Sequence, residues 1–156
     1  MKKVNDADKN AMLGALLAEG EQYTATAYMN TIPSSIDFFS FFGAIGAVIG
    51  SFFPDDGFSR RHNGYVGVTN DSINFAILNM YNVTKLQNTV KINFSDITNI
   101  KVNDKKTYAN VNIWVGKKKY FIQLPKKLLG AKLENQAENA SAVAAALSRL
   151  TASSVA

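Results

Sequence analysis

The chain has 156 residues, 47% of them apolar and 19% charged, with a formal net charge of +5. That length and apolar content suit one domain around one core. The absence of cysteine excludes disulfides, thiolate chemistry and cysteine metal sites, and the single histidine, His62, excludes a multi-histidine metal centre.

Met1-Lys2-Lys3 leads into polar residues rather than an apolar run, so no signal peptide is read here and a cytoplasmic location is expected. Asp6 to Ala18 predicts a first helix, capped by Asn5 or Asp6 and stopped at Gly20. Leu13, Leu16 and Leu17 share one face of it, with Lys9 pointing elsewhere. Glu21 to Ile32 predicts the first strand, ended by Pro33 and two serines.

Ile36 to Phe53 is the unusual stretch, and Pro33 and Pro54 bracket it. From Phe38 to Phe53 it carries no charge and includes Phe38, Phe39, Phe41, Phe42, Ile45, Ile49, Phe52 and Phe53. As a helix it would run about 24 Å, short of a ~30 Å hydrocarbon core. Spanning would also part the first strand from its partners and leave its backbone unpaired. Three readings stay open: a buried element of this domain, a contact with another copy of the chain, or a dip into one membrane leaflet. Gly43, Gly46 and Gly50 give a small-residue face for close helix approach. Arg60 and Arg61 follow, an arginine pair able to hold lipid phosphates while the rings enter the interface.

A run of short strands then fills Gly64 to Leu124. Tyr65–Thr69 is β-branched and aromatic, and Asn70-Asp71 is a two-residue turn whose residue types tolerate positive φ. Ile73, Phe75 and Ile77 alternate with polar or small residues, as on a half-buried strand. Val90, Ile92 and Phe94 do the same, followed by Ile97, Ile100 and Val102. Val111, Ile113 and Val115 form the next strand, Gly116-Lys117 its turn, and Tyr120, Ile122 and Leu124 the return, ended by Pro125. Trp114 and Phe121 fall on the opposite face, where a covering helix is expected, the alternative being exposure for a partner. Glu134 to Leu150 predicts a closing helix with Ala140, Val143, Ala144, Leu147 and Leu150 as its apolar stripe, and Thr151 to Ala156 a frayed tail. Successive short strands without intervening helices argue an antiparallel sheet that closes or nearly closes.

Charge is unevenly spread. Residues 1–57 carry three lysines against seven acids, while residues 58–156 carry fourteen basic residues against five acids. Lys101 to Lys132 holds nine lysines and one acid, Asp104. Such a stretch is a solvated face or a surface for phosphates. Nucleic acid ranks low as a partner, because Trp114 and Phe121 alternate poorly with Lys117 to Lys119 along the chain. No catalytic, cofactor or metal constellation is read: His62 stands alone, Asp55-Asp56 are adjacent in a turn, and the spaced glycines lack the lysine of a phosphate loop.

Three segments together resemble bacterial pleckstrin-homology-like or GRAM-like domains over about residues 16–150, less the insert. They are Leu16-Leu17-Ala18-Glu19-Gly20-Glu21, Gly67-Val68-Thr69-Asn70-Asp71-Ser72-Ile73 and Ile92-Asn93-Phe94-Ser95-Asp96-Ile97-Thr98-Asn99-Ile100. The resemblance implies an α+β, mainly β fold. It would be a partly open antiparallel barrel of about seven strands closed by a C-terminal helix, with an N-terminal helix and the apolar insert, residues 33–63, between strands 1 and 2. Ser72 stands where that family often has arginine, and the first strand lacks the basic residues of lipid-binding relatives. The expected function is a non-enzymatic binding module at the inner face of a membrane. Its partner would be an anionic membrane surface or a membrane protein, met through the insert with Arg60 and Arg61. The alternative is a self-assembling scaffold, a homo-oligomer built on the insert.

Overall fold

The computed structural model describes residues 3–33, 58, 61–128 and 130–154. The first helix, α1 (Asp6–Gly14), begins where Asn5 has extended backbone and its Oδ1 accepts from the Asp8 N–H at 2.7 Å. It ends sooner than its sequence predicts. After Ala15 the chain tightens into bonds from Leu16 N–H to Leu13 and from Leu17 N–H to Gly14, and Gly20 turns it at φ 83°. Lys9 corrects a second expectation. It lies four residues before Leu13, hence on the same face, and is buried with its ammonium 3.3 Å from Asp6.

Seven strands follow: β1 (Ala25–Ile32), β2 (Asn63–Val68), β3 (Ser72–Leu78), β4 (Leu86–Asn93), β5 (Asn99–Asp104), β6 (Tyr108–Val115) and β7 (Lys118–Pro125). A 3₁₀ turn over Phe94–Asp96 joins β4 to β5, and α2 (Gln136–Ser154) ends the chain. The helix thus continues through positions expected to fray. All pairings are antiparallel, in the order β4-β3-β2-β1-β7-β6-β5. The sheet is not closed, and β4 and β5 are its edges.

Strand alternation divides the side chains between two faces. The inner face carries Met29, Val66, Phe75, Ile77, Val111, Ile113, Ile122 and Leu124, and the α2 stripe Ala140, Val143, Ala144 and Leu147 packs against it. The outer face of β1–β3 forms a second cluster with α1, built on Leu13, Tyr28, Tyr65, Ala76 and Leu78. β3 is therefore buried on both faces rather than one. Gly67 permits this cover, since a Cβ there would overlap the Tyr23 ring. The Asn70-Asp71 turn forms as predicted but by other means. Among described non-glycine residues only Asn135 has positive φ, and the turn is braced by Thr69 Oγ1, which accepts from the Ser72 N–H at 3.0 Å.

β1 pairs with β2 over six residues but with β7 only over Asn30–Ile32. Where β7 leaves, the buried side chain of Gln136 takes its place. Its Oε1 accepts from Tyr28 N–H at 3.1 Å, and its Nε2 donates to Tyr28 O at 3.0 Å and Pro125 O at 2.8 Å. Gln136→Leu strands these backbone groups, so chemical denaturation should show a loss of about 2–3 kcal/mol.

Burial raises the phenols of Tyr28 and Tyr65 from 10.0 to about 12, against a partial pull downward from Arg61 on the first and from the Asn5 N–H on the second. Below pH 10 both phenols are neutral in either state and this contribution is complete. Between pH 10 and 12 the unfolded chain releases protons that the folded chain keeps, so stability should fall. Denaturation midpoints measured across that window should drop more steeply for the native chain than for a Tyr28→Phe, Tyr65→Phe double variant.

Candidate functional site

Antiparallel neighbours alternate in direction. The ends of β1, β3 and β6 and the starts of β2, β4 and β7 therefore share one end of the sheet. The chain leaves β1 and enters β2 at this end, and the β3–β4 loop and the β6–β7 turn belong to it as well.

The β3–β4 loop is stiff and apolar at its tip. Asn79 Oδ1 accepts from the N–H groups of Tyr81 at 2.9 Å and Asn82 at 3.1 Å, and Asn82 Oδ1 accepts from Thr84 N–H at 3.1 Å. Backbone bonds from Asn79 N–H to Lys85 O and from Lys85 N–H to Asn82 O complete it. The loop holds Met80 and Tyr81 in solvent, at 50% and 96% exposure, with Leu86 at 44% beside them. Large apolar side chains held this far out make the loop tip a candidate contact surface. Sequence reading missed this tip; its signal is an apolar pair bracketed by turn-forming asparagines between two strands.

The β6–β7 turn places Gly116 at φ 63°, with its N–H bonded to Thr98 Oγ1 at 3.0 Å. Lys117, Lys118 and Lys119 follow, and Lys118 lies over the Tyr120 ring at 5.2 Å. Of the insert-derived candidates, Phe38, Phe39, Phe41, Phe42, Ile45, Ile49, Phe52, Phe53 and Arg60 lie outside the described residues. Arg61 is described: it is exposed and donates from Nη2 to Gln123 Oε1 at 3.5 Å. Phe58 is anchored in the inner core, edge-on to Phe75 at 5.3 Å and to Tyr120 at 4.8 Å. His62 is not a loop bystander. It is buried, its N–H donates to Thr31 Oγ1 at 2.8 Å, and its Nδ1 lies 3.3 Å from Leu78 O, which ties β2 to its neighbours.

The helix cover expected over Trp114 and Phe121 is not found among the described residues. Trp114 faces Lys119 across the β6–β7 ladder and reaches diagonally to Phe121, ring centroids 5.4 Å apart at 75°. Among the described residues no helix covers them, because α2 lies on the inner face and α1 packs on β2 and β3. An open cleft of about 360 Å³ lies where the sheet fails to close, lined by Phe94, Ile97, Ile100, Leu150 and neutral polar residues. It presents no titratable side chain.

Among the described residues no helix is long and apolar enough to cross a membrane. No protein-family model matches the chain, nor does any curated protein match it in sequence. Solved structures with similarity include the C-terminal domain of an unknown protein from Leishmania infantum, at TM-score 0.46 and 12% identity, covering 90% of this chain and 93% of that one. Another is the hSac2 domain from human phosphoinositide phosphatase Sac2, at TM-score 0.48 and 9% identity, covering 94% of this chain and 78% of that one.

Phe58 fixes the end of the connection that carries the apolar stretch. Phe58→Ala removes two edge-to-face contacts from a filled core, and a thermal or urea melt should record a loss of about 3–5 kcal/mol.

Proposed function

We propose that this chain is a non-catalytic binding module of the pleckstrin-homology-like kind that docks peripherally on an anionic membrane surface at the inner face of the membrane. The strand order and the C-terminal helix laid on the inner face support the fold assignment. The docking surface is the end of the sheet that carries Met80-Tyr81 and Lys117–Lys119 and at which β1 ends and β2 begins. One observation carries the reading: the hydrogen-bonded β3–β4 loop exposes Met80 and Tyr81 at the same end as the lysine turn and the end of β1, after which the sequence runs into Phe38–Phe53. Apolar side chains beside cations suit the boundary between lipid headgroups and acyl chains. Arg61 stands at the margin of this end, on Gln123.

The test is vesicle flotation with phosphatidylcholine alone and with phosphatidylserine added. The native chain should float with the anionic vesicles and stay behind with the neutral ones. Met80→Ser with Tyr81→Ser, and separately Phe41→Asp with Phe42→Asp, should each lower the bound fraction by about tenfold or more. Unchanged flotation in both variants refutes the membrane reading. A defined oligomer in detergent-free buffer that ignores vesicles and dissociates in the Phe41, Phe42 variant assigns the apolar stretch to self-assembly instead.

A further inference from the structure

The outer face of β5–β7 has a composition that membrane docking does not require. One register row crosses five strands with carboxamides alone: Asn103 opposite Asn110, Asn110 opposite Gln123, Gln123 opposite Asn30, and Asn30 opposite Asn63. Neighbouring amides at strand spacing could bond to one another as a ladder. They do not: Gln123 Oε1 accepts from Arg61, Asn30 Oδ1 from the Tyr28 hydroxyl, and Asn110 Oδ1 is shut off from water without a hydrogen-bond partner. Beside the row lies the Trp114–Phe121 ring pair, half-buried and uncovered by any described helix. Lys101 shares the next row with Asn112 and Phe121, and Lys119 faces Trp114. No outward position of β5, β6 or β7 holds an acid.

We propose that this face binds single-stranded nucleic acid. The three needs of such a ligand are met by three residue classes in register. Aromatic rings stack bases whatever their identity, carboxamides pair with base edges through a donor and an acceptor in one plane, and cations take the phosphates. Asn103 and Asn112 carry these amides beside Lys101 and the rings. Trp114, Phe121 and Lys101 look unrelated along the chain because they sit on β6, β7 and β5, and only the ladder register brings them together. The inference is independent of membrane docking, which uses the loop end of the sheet.

Trp114 is the sole tryptophan, so its emission reports this face directly. The experiment titrates the full chain with oligouridylate and oligodeoxythymidylate of about a dozen nucleotides. It runs beside polyglutamate and anionic vesicles, and anisotropy of a labelled oligonucleotide serves the variants. Stacking should quench Trp114. Trp114→Ala should weaken binding roughly fivefold to a hundredfold. Lys101→Ala, at an exposed position, should reduce the slope of log affinity against log salt by about 0.7. Unchanged emission on adding oligonucleotide overturns the proposal. So does displacement by polyglutamate at equal charge together with full binding by Trp114→Ala, which would reduce the face to a generic cation. An emission shift with vesicles and none with oligonucleotide also overturns it, assigning the rings to lipid.

Discussion

The fold turns on how β1 divides its hydrogen bonds. One edge is satisfied along its length by β2, while the other meets β7 only at Asn30–Ile32. An unpaired buried backbone group costs about 1–3 kcal/mol, so the edge of β1 cannot simply be left bare where β7 departs. The Gln136 carboxamide resolves this, bonding both the N–H and the carbonyl of Tyr28 and holding Pro125 with the same Nε2. A side chain here substitutes for a strand. Because Gln136 is also the first residue of α2, the same three bonds set where the closing helix begins and direct its apolar stripe onto the inner face. Strand divergence, helix placement and core closure follow from one buried amide.

With α2 committed to the inner face, the outer face has only α1 among the described helices to cover it. α1 reaches β2 and β3 but not β6 or β7. The result is asymmetric. One half of the outer face is sealed by Leu13, Tyr28 and Tyr65, and the N-terminal segment is fastened by the Asn5–Lys132 bridge and the Glu134 N–H to Asp6 bond at 2.8 Å. The other half carries Trp114, Phe121 and the row of amides, mostly half-buried and with no described helix over them. The charge asymmetry of the sequence maps onto the same division, since the lysine-rich residues 101–132 build β5–β7 and their turns.

Much of this architecture is legible in the amino-acid sequence. Period-two alternation identifies the strands because each is buried on its inner side, and the stripe from Ala140 to Leu147 identifies α2 because helical spacing is unambiguous over that length. Sequence reasoning fails where the relevant information lies between segments. Weighing charge over spacing puts Lys9 on the solvent face, although it stands one turn from Leu13, its stem packs and its ammonium finds Asp6. Burial preference gives Trp114 and Phe121 a helix cover that neither described helix provides. The carboxamide row cannot be read from sequence at all. Asn103, Asn110, Gln123, Asn30 and Asn63 share a line only through four ladder registers, and a shift of one residue in any of them would put the next amide on the opposite face.

The two proposed surfaces meet at Trp114 and Lys119. Both residues belong to the outer face, and both sit at the β6–β7 end from which Lys117 and Lys118 project. Two anionic partners approaching that corner would compete for the same cations and repel one another, so each would weaken the other by the same factor. Steric access points the same way: a membrane lying across the loop tips leaves the amide row reachable only from the side, along β5 and Lys101. On these proposals the two bindings would be alternatives rather than a bridge between lipid and nucleic acid, and the choice between them would be sensitive to salt, because the lysines of the shared corner would serve both.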